Sequence, residues 1–288
     1  MDKWILAIRV KTLPAAIAPV LVGSALSYKD SFFDIFIFFM TLLAALLIQI
    51  GTNFANDVFD FQKGTDRDDR LGPTRATQAG LITPENMKKA MWKAFSMSIF
   101  VGLYLAFIGG WPIVIIGLAS IIAGIAYTGG PYPLGYNGFG ELFVFLFFGI
   151  IAVPGSFYLQ SGTVNADSIY LGASMGMISS AILVVNNLRD INTDKVTGKK
   201  TLAVSFGVIF SYFEYFILIL GPYIIHLYLI INNSYKLSMF IVFFSLPIAL
   251  HLFFQLIIKK GRELNNVLAS TSRLLVLFAL LTSFGLIL

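Results

Sequence analysis

The chain reads as an all-α, polytopic membrane protein, with about nine transmembrane helices in one bundle and a central cavity open to the cytoplasmic side. Three observations point there. Of 288 residues, 57% are hydrophobic and only 12% charged, and the mean hydropathy is +0.83, which is more apolar surface than a soluble domain can hide. The apolar runs are long and continuous, whereas a β-barrel would show short alternating ones. Finally, the positive charges divide unevenly between alternate connections, as membrane topology demands.

A helix needs about 20 apolar residues to cross the hydrocarbon core. That rule places spans at 12–28, 32–55, 90–109, 111–127, 139–160, 168–188, 203–231, 237–258 and 267–288. The first apolar stretch is followed by many others, so it reads as a retained helix and not a cleaved signal. Pro14, Pro19, Pro154, Pro222 and Pro247 fall in or near these spans and predict kinks, since neighbouring helices can satisfy the freed carbonyls. With the N-terminus inside, seventeen of the twenty lysines and arginines face the cytoplasm. Lys29 and Lys236 fall outside, and Arg273 lies near the inner end of the last span. The cytoplasmic connections 56–89 and 189–202 are long and polar, so a functional site is expected at that face.

The composition also excludes chemistry. With no cysteine there are no disulfides, thiolates or zinc–cysteine sites. The two histidines, His226 and His251, both lie in apolar runs and read as satisfied interior residues. The net charge of +5 reports topology and anionic lipid, because no basic stripe with interleaved aromatics of the nucleic-acid-binding kind is present. The lipid bilayer is an expected partner, nucleic acid is not, and no obligate protein partner is implied.

Two polar clusters stand out. In NDVFDFQKGTDRDDRLGPTR (56–75), nine of twenty residues are charged. Its Asn56 and Asp60 have the spacing N-x-x-x-D, and Asn186 and Asp190 repeat it within NNLRDINTDKVTGKK. Each pair ends an even-numbered span on the cytoplasmic side. This suggests an internal repeat in a single domain, roughly 1–127 and 128–258, with a last helix at 267–288. Residues four apart on a helix end face the same way, so Asn56 with Asp60, and Asp190 with Asp194, would present oxygen ligands together. Hard oxygen donors of this kind suit Mg²⁺ that shares its shell with phosphate oxygens. The interleaved Lys and Arg suit a polyanion such as diphosphate. A solvated loop laced by ion pairs would also explain one such cluster, though less readily two matched ones.

A third segment, YTGGPYPLGYNGFGE (127–141), has no Lys or Arg. It is either a tight loop or an aromatic wall in which Tyr127, Tyr132 and Tyr136 offer π-faces to a carbocation. Glu141 is placed to orient this loop, and Glu214, within the seventh span, is an intramembrane carboxylate and hence a functional candidate.

These residues resemble the UbiA-type intramembrane aromatic prenyltransferases over essentially the whole chain. The stretches that carry the resemblance are RVKTLPA (9–15), NDVFDFQKGTD (56–66), RLGPTRATQAGLITP (70–84), AYTGGPYPLGYNGFGEL (126–142) and NNLRDINTDKVTGKKTLAV (186–204). The GPTR-x-TQ-x-GLITP and YTGGP-x-PLGY segments point to the branch acting on 1,4-dihydroxy-2-naphthoate. One departure is that Gly64 stands where many relatives have a further aspartate, and the next acid is Asp66.

The resemblance implies Mg²⁺-dependent transfer of a polyprenyl group from polyprenyl diphosphate to an aromatic acid. It implies a metal-holding set of Asn56, Asp60, Asp66, Asn186, Asp190 and Asp194. Asp60, Asp190, Asp194 and Tyr127 would be catalytic. Lys63, Arg70, Arg189, Lys199 and Lys200 would neutralise the leaving diphosphate, with Asn187 also at the substrate, and Arg75 and Gln78 would hold the acceptor's carboxylate. Other acceptors of the superfamily, such as 4-hydroxybenzoate or homogentisate, are the nearest alternatives. A transporter with an acidic cation site is a more distant one, disfavoured because both clusters sit at one face and not at the midplane. The D-x-x-D-G-x-x-A-R signature of CDP-alcohol phosphotransferases is absent.

Overall fold

The computed structural model describes residues 2–65, 70–232, 235 and 237–288. Every regular element among them is helical: α1 (Lys3–Ile8), α2 (Pro14–Lys29), α3 (Ile35–Gln62), α4 (Pro84–Gly109), α5 (Trp111–Ala126), α6 (Gly140–Phe145), α7 (Ala152–Ser161), α8 (Ala166–Arg189), α9 (Ile191–Val196), α10 (Leu202–Asn232), α11 (Leu246–Ile258) and α12 (Leu264–Ile287). A π-helical stretch at Leu146–Ile151 joins α6 to α7, and a 3₁₀ stretch at Leu237–Ser245 leads into α11. Seven of these continuous segments are long and apolar enough to span a membrane. The pair Lys3–Thr12 and Pro14–Lys29, bent by 48°, makes an eighth, while α5, at 16 residues, is shorter than the rest.

The prolines act in three ways. Pro14 and Pro247 open α2 and α11, where a missing N–H is harmless. Pro19 and Pro222 lie inside α2 and α10. Pro154 follows the π-helical stretch, because its ring cannot donate to the carbonyl one turn earlier and crowds it. The sharp break in α10 lies instead at Gly207, whose φ of 83° is open to glycine alone.

Two packed groups flank the interior. In the larger, fifteen residues of α8 are buried, and Met175, Ile178 and Val185 pack with Val22 and Leu26 of α2, Tyr215 and Ile219 of α10, and Phe278 of α12. In the smaller, Phe54 and Val58 of α3 meet Met87, Met91 and Phe95 of α4 and Ala7 of α1. Lipid is as apolar as a core, so the outward faces need no cover, and Phe100, Phe107, Ile209 and Phe244 are among the large side chains left exposed. His226 is satisfied as expected, by Pro222 O at 2.9 Å and Thr282 Oγ1 at 3.1 Å. His251 instead lies on the exposed side of α11.

At the end of the bundle away from the charged motifs, Asp34 caps α3, and Gln160 of α7 bonds both its backbone N–H and its carbonyl. Beside them, Tyr235 donates to Asp167 at the start of α8 while Lys29 from the end of α2 lies over its ring, 4.6 Å from the centroid.

One close helix approach is built on glycine. A Cβ on Gly149 would lie 2.6 Å from Gly172 O and 2.7 Å from Gly176 Cα of α8. Gly149→Val should therefore destabilise the bundle by about 1–3 kcal/mol, read as a lower melting temperature in detergent. Gly155→Ala, whose Cβ would approach only Ile116 Cδ1 at 3.8 Å, should leave it unchanged.

Candidate active site

The site begins at the last two turns of α3. Asn56 and Asp60 share a face and line an internal cavity, while Asp57 points away from it. Asp57 is 1% exposed and accepts the backbone N–H groups of Ala76, at 3.1 Å, and Thr77, at 3.0 Å. That clamp fixes the connection to α4 and delivers Arg75, whose guanidinium reaches Asp60 Oδ2 at 3.1 Å. Tyr136 donates to the other oxygen, Oδ1, at 2.7 Å. Asn56 Oδ1 accepts from Thr128 Oγ1 at 2.9 Å.

The second motif is held by one guanidinium. Arg189, 3% exposed at the end of α8, bonds both oxygens of Asp190, Asn186 Oδ1 at 2.8 Å and Asn265 Oδ1 at 2.8 Å. Asn265 of α12 in turn donates to Leu71 O at 2.9 Å, tying the second motif to the connection that follows the first. Asp194 lies one turn on, in α9, with Lys199 Nζ at 3.7 Å. Asn187 donates to Glu141 Oε1 at 2.6 Å, and Ser180 to the Glu141 backbone carbonyl, so the buried Glu141 orients Asn187 and the start of α6 is tied to α8. Glu214 is half-buried and stands outside the cavity wall.

The cavity holds about 1120 Å³. One end carries Asn56, Asp60, Arg70, Arg75, Tyr127, Asn186, Asn187, Arg189, Asp190, Asp194 and Lys199. The other is apolar, walled by Ala106, Ile113, Gly117, Phe147, Ile151 and Leu159. The two motifs, 130 residues apart in the chain, thus face one space. Among the described residues, however, no three acids or histidines converge as a preformed metal cage; each aspartate sits against a cation instead.

Three expected residues lie elsewhere. Lys200 is exposed, because its N–H bonds Tyr136 O at 2.7 Å and successive side chains there point apart, Lys199 inward and Lys200 outward. Gln78 is off the wall, since the chain turns away after Arg75 where Asp57 grips it. Lys63 sits at the rim, over Tyr136. Asp66 lies outside the described residues.

The aromatic segment divides too. Tyr127 and Tyr136 both line the cavity, Tyr136 with lysines against its ring, whereas Tyr132 is 60% exposed. Sequence reasoning missed Asp57, Asn265 and, as a cavity-wall residue, Arg9, which adopts a left-handed conformation with φ 54°. Only the RVKTLPA resemblance hinted at the last.

Burial, and then the carboxylates of Glu141, Asp60 and Asp194, push the Tyr127 phenol above its ordinary range, so it stays protonated. Burial also raises Asp194 to about 6, against the pull of Lys199. The folded chain therefore holds this proton where the unfolded chain has released it. The group's contribution to stability is full below its ordinary 3.8 and is lost as pH rises through about 6. In chelator-treated protein, Asp194→Asn should accordingly gain melting temperature relative to wild type between about pH 4 and 7. Arg189→Met should cost about 3–5 kcal/mol by leaving Asp190 buried without its cation, and adding Asp190→Asn should restore part of the loss in the same denaturation assay.

Comparison with known proteins agrees with this architecture. Residues 16–285 match the UbiA prenyltransferase family. The chain is 41% identical over 210 residues to 1,4-dihydroxy-2-naphthoate octaprenyltransferase of Escherichia coli (strain K12), covering 71% of this chain and 68% of that one. It is 31% identical to the enzyme of the same name from Bacillus subtilis (strain 168), covering 97% and 90%. Among solved structures, a UbiA homolog from Archaeoglobus fulgidus bound to GPP and Mg²⁺ superposes with a TM-score of 0.69 at 16% identity, covering 99% of both chains. The apo UbiA homolog from Aeropyrum pernix K1 gives 0.73 at 11% identity, covering 93% and 96%. A multi-pass helical bundle with both N-x-x-x-D motifs on one cavity, matched along nearly its whole length, belongs to the UbiA prenyltransferase family.

Proposed function

We propose that this prenyltransferase joins a polyprenyl group from polyprenyl diphosphate to 1,4-dihydroxy-2-naphthoate, releasing diphosphate and carbon dioxide and forming demethylmenaquinol. The observation that carries this reading is one cavity with a charged end and an apolar end, lined by the two N-x-x-x-D motifs, in a chain 41% and 31% identical to two naphthoate prenyltransferases. The apolar end suits an isoprenoid tail and the charged end its diphosphate. The distribution of basic residues supports a cytoplasmic position for the charged end.

Mg²⁺ fits the donor set. Asn56, Asp60, Asn186, Asp190 and Asp194 offer only hard oxygens, and a site completed by phosphate oxygens and water needs no preformed cage. When bound there, the ion supplies Lewis-acid stabilisation of the departing diphosphate. Lys199, Lys63 and Arg70 add fixed positive charge to that end. The apolar walls and the neutral phenol of Tyr127 keep water from the allylic carbon as its bond to oxygen breaks.

The new carbon–carbon bond forms at the ring carbon bearing the carboxylate. The electron pair of the ring–carboxylate bond then returns to the ring as carbon dioxide leaves, so no base is required at that carbon. Arg75, held at Asp60 on the wall, is the candidate partner for the acceptor's carboxylate.

Purified protein in lipid nanodiscs, given Mg²⁺, geranylgeranyl diphosphate and dihydroxynaphthoate, should yield a product whose mass shows the prenyl gain and the loss of carbon dioxide. Turnover of 4-hydroxybenzoate alone would overturn the acceptor assignment. Asp60→Asn and Asp190→Asn preserve shape and should each lower the rate by about 100-fold or more, with an unchanged helical circular-dichroism spectrum and elution profile at the assay temperature to show that the fold is intact.

A further inference from the structure

We infer that Tyr136 is a positioning residue for the diphosphate end of the site: its ring holds both Lys63 and Lys199, while its hydroxyl holds Asp60. The inference rests on the reading of that end as a diphosphate site. Lys63 Nζ lies 4.9 Å and Lys199 Nζ 4.5 Å from the ring centroid. The phenol donates to Asp60 Oδ1 at 2.7 Å and shares a 2.8 Å hydrogen bond with Thr65 Oγ1.

The backbone places the ring with equal care. Tyr136 O accepts the N–H of Lys200 at 2.7 Å, and a Cβ on Gly138 would lie 3.2 Å from Lys200 O, so the 134–138 turn lies directly against the chain that carries Lys199. One side chain thus gathers the end of α3, the aromatic turn and the segment after α9.

Two ammonium groups brought this close repel each other, and a long lysine loses much entropy when it is fixed. Burial, and after it Lys199, lowers the pKa of Lys63, while Asp60 opposes the fall. An aromatic face offsets both costs, because its quadrupole attracts each cation without neutralising it. A carboxylate in the same place would also gather the lysines, but it would compete with phosphate for them. The ring leaves both charges available to an incoming polyanion.

The test separates ring from hydroxyl. Tyr136→Phe keeps both faces and should bind inorganic pyrophosphate with Mg²⁺, measured by calorimetry, within about twofold of wild type. Its kcat should fall, because Asp60 has lost a donor. Tyr136→Leu removes the faces as well, and should weaken pyrophosphate binding and raise KM for the prenyl diphosphate by roughly 5- to 30-fold, with KM for the aromatic acceptor unchanged. Tyr136→Met, also without a ring, replaces it if the leucine variant fails to fold. Wild-type pyrophosphate affinity in the ring-less variants, or equal loss in the phenylalanine and leucine variants, would overturn the positioning role. Failure of the wild-type protein both to bind pyrophosphate and to turn over would overturn the diphosphate reading itself, and the role of Tyr136 with it.

Discussion

A buried carboxylate must be paired, and the rest of this molecule is arranged around that requirement. Asp60, Asp190 and Asp194 lie at one end of an apolar bundle, where an isolated charge is prohibitively costly. Each therefore has a cation beside it, Arg75, Arg189 and Lys199. Those cations are brought by connections between helices, not by the helices themselves or their neighbours in the bundle, with Arg189 at the very end of α8 as the exception. The connections in turn need anchors. Asp57 grips 76–77, Asn265 grips Leu71, and the Tyr136 carbonyl grips Lys200. The polar end of the cavity is thus a lattice of charge pairs, while the apolar end is only packed side chains.

This arrangement bears on the proposed reaction. Pairs that orient the aspartates keep the charged end organised before substrate arrives. A diphosphate with its metal brings both signs of charge, so it can take over partners on either side without leaving an ion unpaired. Arg189 alone bonds Asp190, Asn186 and Asn265, its planar fork spreading one charge over three side chains. Lys63 and Lys199, gathered by a ring and not by an acid alone, are the groups most easily turned toward a ligand.

Much of the fold is legible in hydropathy alone, because the bilayer makes each span an almost independent decision. The ends of α2, α8 and α10 fall within two residues of where apolar composition puts them. The larger differences arise where polar residues continue a helix beyond its apolar part. Asn56 to Gln62 extend α3, and Pro84 opens α4 six residues before its apolar run, with Thr83 as the cap. Leu202–Asn232 shows the reverse case, in which a run that looks uniform is broken at Gly207.

The sequence by itself determined the membrane class, the two matched N-x-x-x-D motifs and most of the charged set around them, since composition and spacing are local properties. Only the tertiary structure decided which side chains meet. It turned Lys199 inward and Lys200 outward, took Gln78 off the wall, gave Asn187 to Glu141, and set two lysines against the ring of Tyr136 on the cavity wall. The physical reason is that most of these choices are made in connections, where no period of 3.6 residues dictates direction. There, a side chain's facing depends on partners far away in the chain: Asp57 for Gln78 and the 134–138 turn for Lys199.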